Sequence, residues 1–133
     1  MPPRYLLDTN TASYAIRGNF PRVRERLLRV PTDEIGISVV TEAELRFGAA
    51  RLPEAARVRV LLREFLAAIA ALPWTSEAAI EYAQLRLAAE RFGTPMGTLD
   101  LMIASHALAI GAVLVTHDRG FRRVRELKLE DWT

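Results

Sequence analysis

Residues 97–118 read GTLDLMIASHALAIGAVLVTHD and predict a buried helix, a tight turn and a buried strand. From Leu99 to Ile110 nearly every residue is apolar or small, so the helix should be covered on most sides. Gly111 then supplies the positive φ that commonly ends a helix. Val113–Val115 is an unbroken apolar run, typical of an interior strand in a parallel sheet. The carboxylate of Asp100 interrupts this apolar unit, and a second carboxylate, that of Asp118, lies at its end.

The composition predicts a single soluble domain, residues 1–133, in the cytoplasm. A chain of this length fits one core and buries about two-thirds of the surface that its unfolded form exposes. No apolar run approaches the roughly 20 residues that span a membrane. The chain has no cysteine and only two histidines, which excludes a disulfide framework and a thiolate zinc site. Any metal ion would therefore be held by oxygen.

Arginine dominates the positive charge of the chain. All but one of the 18 basic residues are arginine, although the formal net charge is only +2. The guanidinium group suits bidentate contact with phosphate. Two clusters occur, at residues 22–29 and 119–125, and each is also compatible with an ordinary solvated helix face.

The rest of the chain alternates between predicted strands and helices. Strands are expected at Arg4–Leu7 and Ile35–Val39, and a final edge strand before Trp132. The predicted helices cover residues 9–16, 21–30, a segment opened by a Thr41–Glu44 capping box, 53–71, 76–92 and 120–127. This order of elements predicts an α/β fold in which helical crossovers join the strands of a mainly parallel sheet.

Four acids occupy equivalent places around the predicted strands. Asp8 and Asp118 follow apolar strands directly. Glu44 lies in the first turn of a helix after a strand, and Asp100 begins the helix that leads into the last apolar strand. Each acid alone has an ordinary interpretation as a helix cap or turn residue. Together they meet at the carboxyl edge of the sheet, where open parallel sheets place their sites.

Four carboxylates at one edge would repel one another. At ~4 Å and an effective dielectric constant of about 20, each like-charged pair costs on the order of 4 kcal/mol. Protonation or a bound cation must relieve this repulsion, and hard oxygen ligands select Mg²⁺ or Mn²⁺. Such a site suits phosphodiester hydrolysis, with arginines at its rim holding a polyanionic backbone.

Four motifs and a characteristic ending occur in order along the chain. The motifs are Tyr5–Asn10, Ile37–Thr41 with Glu44, Leu45 and Gly48, Asp100 with Ile103, Ala104 and Ala107, and Val115–Asp118 with Phe121. The ending is Glu130–Trp132. Together they resemble the motifs of PIN-domain ribonucleases, and the ending resembles that of the VapC toxins of bacterial toxin-antitoxin pairs.

The resemblance implies a three-layer α/β/α sandwich with a central, mainly parallel sheet. It also implies an endoribonuclease that uses Mg²⁺ or Mn²⁺, acts on an RNA such as transfer or ribosomal RNA, is inhibited by a VapB-like antitoxin, and forms homodimers. By correspondence with the family's motifs, the catalytic acids are Asp8, Glu44, Asp100 and Asp118. Asp8 and Asp100 would bind the metal directly, and the other two directly or through water. Asn10 and Thr116 would orient the acids by hydrogen bonds.

Three neighbours of these residues are weaker candidates. Glu42 lies two residues from Glu44, so at most one of the two can face the site. His117 should be turned away from the acids by alternation beside its strand. His106, farther along the helix of Asp100, is expected to be a packed or interface residue.

Two other functions are compatible with part of the pattern. Phosphoaspartate proteins also place acids at strand ends, but they need a lysine near the site, and the only lysine here is Lys128 in the tail. The non-enzyme alternative is a metal-binding module that contacts RNA or a partner without nuclease activity. For regulation, we hypothesise that an antitoxin inserts an arginine among the acids and docks on the apolar stripe between Val58 and Ile69.

Overall fold

A computed structural model describes residues 2–54, 56–93 and 95–133. The strands are β1 (Tyr5–Leu7), β2 (Ile35–Ser38), β3 (Ala70–Leu72), β4 (Val113–Val115) and β5 (Leu129–Glu130). The α-helices are α1 (Thr9–Arg17), α2 (Pro21–Arg29), α3 (Val39–Ala50), α4 (Arg57–Ala68), α5 (Ser76–Arg91) and α6 (Thr98–Ile110). Two short 3-10 helices cover Thr32–Glu34 and Arg119–Arg123.

The five strands form one parallel sheet in the order β3-β2-β1-β4-β5. Strand β1 is central, and its Leu6 pairs with Gly36 on one side and Leu114 on the other. The chain builds one half of the sheet outward from β1 and then returns to build the other half. This reversal of strand order makes the carboxyl edge beside β1 the topological switch point, where α/β folds bind their ligands.

Alternation along β1 divides the core into two layers. Tyr5 and Leu7 face one side of the sheet and pack with α1, α2 and the residues around the end of α4. Leu6 faces the other side and packs with α6 and the segment that follows β4. Helix α5 covers the outer face of α6. The predicted three-layer sandwich with a parallel central sheet is therefore confirmed.

The apolar unit at 97–118 folds as its sequence predicts. Helix α6 ends at Gly111, whose φ of +68° is the left-handed conformation that glycine adopts without strain. Most of the helix from Leu101 to Ala107 is buried, and β4 lies inside the sheet between β1 and β5. The acid in its first turn, Asp100, is only half-buried.

The helix predicted over residues 53–71 is too long. Helix α4 covers only Arg57–Ala68, and Ala70–Leu72 pairs with β2 as a strand. The predicted interval also includes Ala55, which lies outside the described residues. The apolar stripe of α4 packs inward: Leu62 and Ile69 are buried, and Phe65 lies against the core. Val58, Leu61, Phe65 and Leu66 are only partly buried, so antitoxin docking on this stripe stays a hypothesis.

The start of α3 also differs from the prediction. Strand β2 ends at Ser38, and the Ser38 hydroxyl accepts a hydrogen bond from the Val40 N–H at 3.1 Å, so Ser38 caps the helix. The capping box predicted at Thr41–Glu44 is therefore wrong, because Thr41 already lies inside the helix. Its hydroxyl is buried and Glu44 is free to face another element.

No helix in the described ranges is long and apolar enough to cross a membrane.

Candidate active site

Asp8 is the most deeply buried of the four acids, at 4% exposed. It follows β1 and caps α1, where its Oδ1 accepts a hydrogen bond from the Thr11 N–H at 2.8 Å. Its Oδ2 accepts one from the Thr116 hydroxyl at 2.6 Å. Burial raises the pKa of Asp8, the bonds from Thr116 and Thr11 partly oppose that rise, and the charge of Asp118 adds to it. The ionised form is thus well oriented but poorly solvated, and a nearby cation would stabilise it.

Asp100 lies in the first turn of α6, just after the cap residue Gly97. Its carboxylate forms no hydrogen bond with any residue that the structure describes. Burial raises the pKa of Asp100, and the charges of Asp118, Glu44 and Asp8, in that order, raise it further. All three other acids therefore lie near enough to act on this one carboxylate.

Glu44 projects from the second turn of α3 toward α1. Its Oε1 accepts a hydrogen bond from the Thr9 hydroxyl at 2.6 Å, and that hydroxyl also lies 3.2 Å from the buried Thr41 hydroxyl. Glu42 points elsewhere, because its carboxylate pairs with Arg46 at 2.8 Å on the same helix. The helix thus presents Glu44, and not Glu42, to the other acids.

Asp118 is exposed and begins the 3-10 helix after β4. Its Oδ1 accepts a hydrogen bond from the Gly120 N–H at 2.8 Å. The Thr116 hydroxyl, which donates to Asp8, also accepts a hydrogen bond from the Asp118 N–H at 3.0 Å. One threonine side chain therefore ties the turn that carries Asp118 to the buried carboxylate of Asp8.

Three other candidates lie apart from the acids or are used in packing: Asn10, which was expected to orient the acids, and the two histidines. Asn10 is exposed and forms no hydrogen bond to an acid within the described ranges, so the orienting contact expected of it is missing. His117 is exposed, and its Nδ1 lies 2.8 Å from the carboxylate of Asp131. His106 is buried with its Nδ1 2.8 Å from the Ser38 hydroxyl, and burial lowers its pKa, which favours the neutral ring.

Thr9 forms a hydrogen bond to Glu44 that the sequence does not predict. It belongs to the first turn of α1 beside Asp8, and its hydroxyl reaches α3, a helix that begins 30 residues later. A threonine directly after Asp8, one of the predicted catalytic acids, is a visible signal in the sequence. Which of the neighbouring polar side chains, Thr9 or Asn10, faces the acids depends on how α1 is rotated against α3, and that is a property of tertiary packing.

The donor set fits a hard divalent cation. All four groups are carboxylates, and two of them have raised pKa values because burial and mutual repulsion disfavour their charged forms. Within the described residues, no group of three or more acids or histidines is arranged so that it could hold a metal ion by itself. Mg²⁺ requires no such group, since it dehydrates reluctantly and usually binds proteins through one or two carboxylates while keeping several waters.

Comparison with known proteins assigns this fold and these motifs to a protein family. The model of the PIN domain family matches residues 5–127. This chain belongs to the PIN domain family.

Within that family, the similar proteins are VapC ribonucleases. The chain is 35% identical to a tRNA(fMet)-specific endonuclease VapC from Salmonella typhimurium, over 97% of this chain and 98% of the relative. It is 33% identical to ribonuclease VapC1 from Haemophilus influenzae, again over 97% of this chain and 98% of the relative.

Solved structures of VapBC complexes have the same fold. The match to a DNA-bound VapBC from Salmonella typhimurium has a TM-score of 0.91 at 35% identity and covers 98% of this chain and 99% of the other. The match to VapBC2 from Rickettsia felis, bound to a promoter DNA fragment, has a TM-score of 0.89 at 32% identity. It covers 97% of this chain and 98% of the other. The resemblance predicted from the motifs is confirmed over nearly the whole chain.

Proposed function

We propose that this chain is the toxin of a VapBC-type toxin-antitoxin pair and a metal-dependent endoribonuclease that acts at the cluster of Asp8, Glu44, Asp100 and Asp118. The observation that supports this proposal most directly is that the charges of Asp118, Glu44 and Asp8 all raise the pKa of Asp100 in a PIN-domain fold. Carboxylates that raise one another's pKa values destabilise the metal-free folded state. Function at a metal site explains why such an arrangement persists.

Asp8 and Asp100 would hold Mg²⁺ or Mn²⁺, with Glu44 and Asp118 binding directly or through water. When bound, the ion would lower the pKa of a water molecule and offset charge on the phosphate. The chain's own residues orient the carboxylates. Thr116 and the Thr11 N–H hold the two oxygens of Asp8, and the Thr9 hydroxyl holds Glu44. The bonds from Thr116 and Thr11 favour the ionised form of Asp8 that a cation needs.

The proposed substrate is a structured RNA, either transfer or ribosomal RNA. The Salmonella and Shigella relatives are both named as tRNA(fMet)-specific endonucleases, and each is 35% identical to this chain. RNA cleavage would take place in the cytoplasm. A ribonuclease of this kind also needs an inhibitor, and the VapBC structures that this chain resembles support a VapB-like antitoxin as its partner. We further propose a homodimer, as in the family that the motifs resemble.

The test is incubation of the folded chain, freed of any antitoxin, with transfer RNA and with ribosomal RNA in the presence of Mg²⁺, Mn²⁺ or EDTA. We expect a few discrete products with either metal and none with EDTA. Absence of cleavage in every lane would contradict the enzyme assignment and would favour a metal-binding module that contacts RNA or a partner.

The rate of RNA cleavage should increase as the pH rises past the raised pKa values of Asp8 and Asp100. Below those values the two carboxyls are protonated and cannot bind a cation, and above them both are charged. The measurement is kcat/KM against pH at a fixed concentration of Mg²⁺, together with Mn²⁺ affinity by calorimetry over the same range. A flat profile for both quantities would show that neither acid binds the metal.

Replacing Thr116 with valine should lower metal affinity and cleavage by about 10- to 100-fold. Valine keeps the shape of threonine but removes the hydroxyl that donates to Asp8, so the pKa of Asp8 should rise further. The acid limb of the pH profile should then move to higher pH. Thr116→Ser keeps the hydroxyl and should retain most of the activity. Equal losses in both variants would point to packing in place of the hydrogen bond.

A further inference from the structure

An apolar groove of about 610 Å³ lies between the C-terminal half of α5, the start of α6 and the segment 122–126. Its wall includes Leu85 and Ala89 from α5, Leu101 from α6, and Val124. Leu101 follows Asp100 in the chain, but consecutive helical side chains point in different directions, and none of the four acids lines the groove.

Phe92 lies at the end of α5 and lines this groove while being 79% exposed. An aromatic ring that is left in water on a groove wall presents a flat, apolar face to a ligand. Nucleic-acid bases stack on such rings whatever their sequence, because every base has a π face.

The charged residues of the groove are mostly arginines. Arg122, Arg123 and Arg125 line it, against one acid, Glu126. Arg123 donates to the Pro95 carbonyl at 3.1 Å and so bridges to the loop before α6. In the part of the chain that the structure describes, neither Arg122 nor Arg125 forms a salt bridge. Two guanidinium groups thus remain available for an anionic ligand.

Arg122 connects the groove to the acids. It also lines a smaller pocket on the other side, whose wall includes Thr116 and Asp118. A chain of phosphates that passes from the acids into the groove would therefore meet Arg122 at the junction. The aromatic ring lies farther along, at the end of α5.

We propose that this groove binds the unpaired nucleotides next to the RNA bond that is cut, a proposal that rests on the proposed function. Phe92 stacks on a base, and Arg122 and Arg125 contact phosphates. The combination of an exposed ring, guanidinium groups outside any salt bridge in the described ranges, and Arg122 shared with the pocket of Asp118 favours single-stranded RNA.

The test measures binding of a fluorescent single-stranded RNA octanucleotide by anisotropy in Mg²⁺, in an Asp100→Asn background that leaves the RNA uncut. Adding Phe92→Ala should weaken binding about 5- to 150-fold without changing its salt dependence. Adding Arg125→Ala should also weaken binding, and should reduce the slope of log K against log salt by about 0.7. The matched controls are Phe47→Ala on α3 and Arg63→Ala on α4, both at exposed positions, and neither should change binding.

A second variant detects the stack directly. Phe92→Trp keeps an aromatic ring, so it should bind RNA as tightly as the parent chain, and its fluorescence should be quenched when RNA binds. The substituted positions are exposed, so melting temperatures should equal that of the parent chain.

Cleavage of transfer RNA by the wild-type chain is assayed in parallel to separate the two proposals. If the wild-type chain cleaves RNA but the Phe92 and Arg125 variants bind like the controls, the groove proposal is wrong and the ribonuclease stands. If Phe92→Ala leaves RNA binding unchanged and converts a dimer to a monomer in light scattering, the groove binds a second copy and the proposal is overturned. If the wild-type chain cleaves no RNA, the proposed function fails and the groove proposal fails with it.

Discussion

Replacing Asp100 with asparagine is expected to reduce metal-dependent RNA cleavage by more than about 100-fold while leaving the chain folded. Loss of a group that merely orients a metal ligand costs about 10- to 100-fold, and loss of a ligand itself should cost more. The substitution keeps the size of the side chain and removes only its charge. Asp100 forms no hydrogen bond within the described ranges, so no folded-state contact is lost with that charge.

The metal-free Asp100→Asn chain should be at least as stable as the wild type at neutral pH. Burial and the charges of Asp118, Glu44 and Asp8 raise the pKa of Asp100, so ionised Asp100 destabilises the folded state above that pKa. The variant removes this penalty, and each kcal/mol gained would raise the Tm by roughly 3–5 °C for a chain of this size. As the pH falls through the raised pKa, the wild-type carboxyl becomes neutral and the difference in Tm should disappear.

The matched control is Asp33→Asn. Asp33 is an exposed acid in the 3-10 helix before β2, at the amino edge of the sheet and therefore opposite the acid cluster. Its replacement should change neither cleavage nor Tm by a measurable amount. Cleavage by Asp100→Asn at the wild-type rate would remove Asp100 from the active site. Loss of cleavage together with a much lower Tm would assign the effect to folding.

The parts of the fold that could be predicted from the sequence are those set by local pattern. Leu6 and its neighbours predict a buried strand, and the acid that follows is a strong helix cap. The helix that begins near Asp100 could end only where Gly111 permits a positive φ. Because the strands are parallel and joined by helices, the positions after β1 and β4 must share one edge of the sheet, which is why the acids could be grouped without coordinates.

The errors arise where tertiary contacts choose between two acceptable local structures. Ala70–Leu72 has the composition of a helix end, yet it pairs with β2, because the edge of that strand offers unpaired backbone groups. Ser38 and Thr41 are both good capping residues, and the end of β2 selects Ser38. Likewise the groove beside α5 could not be predicted, since it joins Phe92 to a segment about 30 residues away.

Replacing Phe121 with alanine is expected to cost about 3–5 kcal/mol of unfolding free energy, the largest stability effect that we expect of a single side chain here. Phe121 is 1% exposed and is the largest of the fully buried side chains. It packs with Ile103, Leu114 and Val124, so its removal leaves a cavity that the surrounding helix and strand cannot fill by small movements. The total free energy of unfolding of a typical domain is only about 5–15 kcal/mol.

The measurement is urea unfolding, in which the midpoint should fall while the slope m stays constant. Phe92→Ala is the matched control, because that ring is 79% exposed and its loss should change the unfolding free energy by less than about 0.5 kcal/mol. A loss of less than about 1 kcal/mol for Phe121→Ala would show that the segment after β4 is not anchored by this ring.

The same ring links stability to the active site. Phe121 lies three residues after Asp118, in the 3-10 helix that Asp118 caps, so we expect the packing of this ring to help to position that carboxylate. Phe121→Leu should lose less stability than Phe121→Ala, because leucine fills most of the space, and it should stay folded at the assay temperature. If the ring positions Asp118, cleavage by Phe121→Leu should fall further than its Tm explains. If cleavage follows the folded fraction alone, Phe121 serves only the core, and Asp118 is positioned by Thr116 and its own turn.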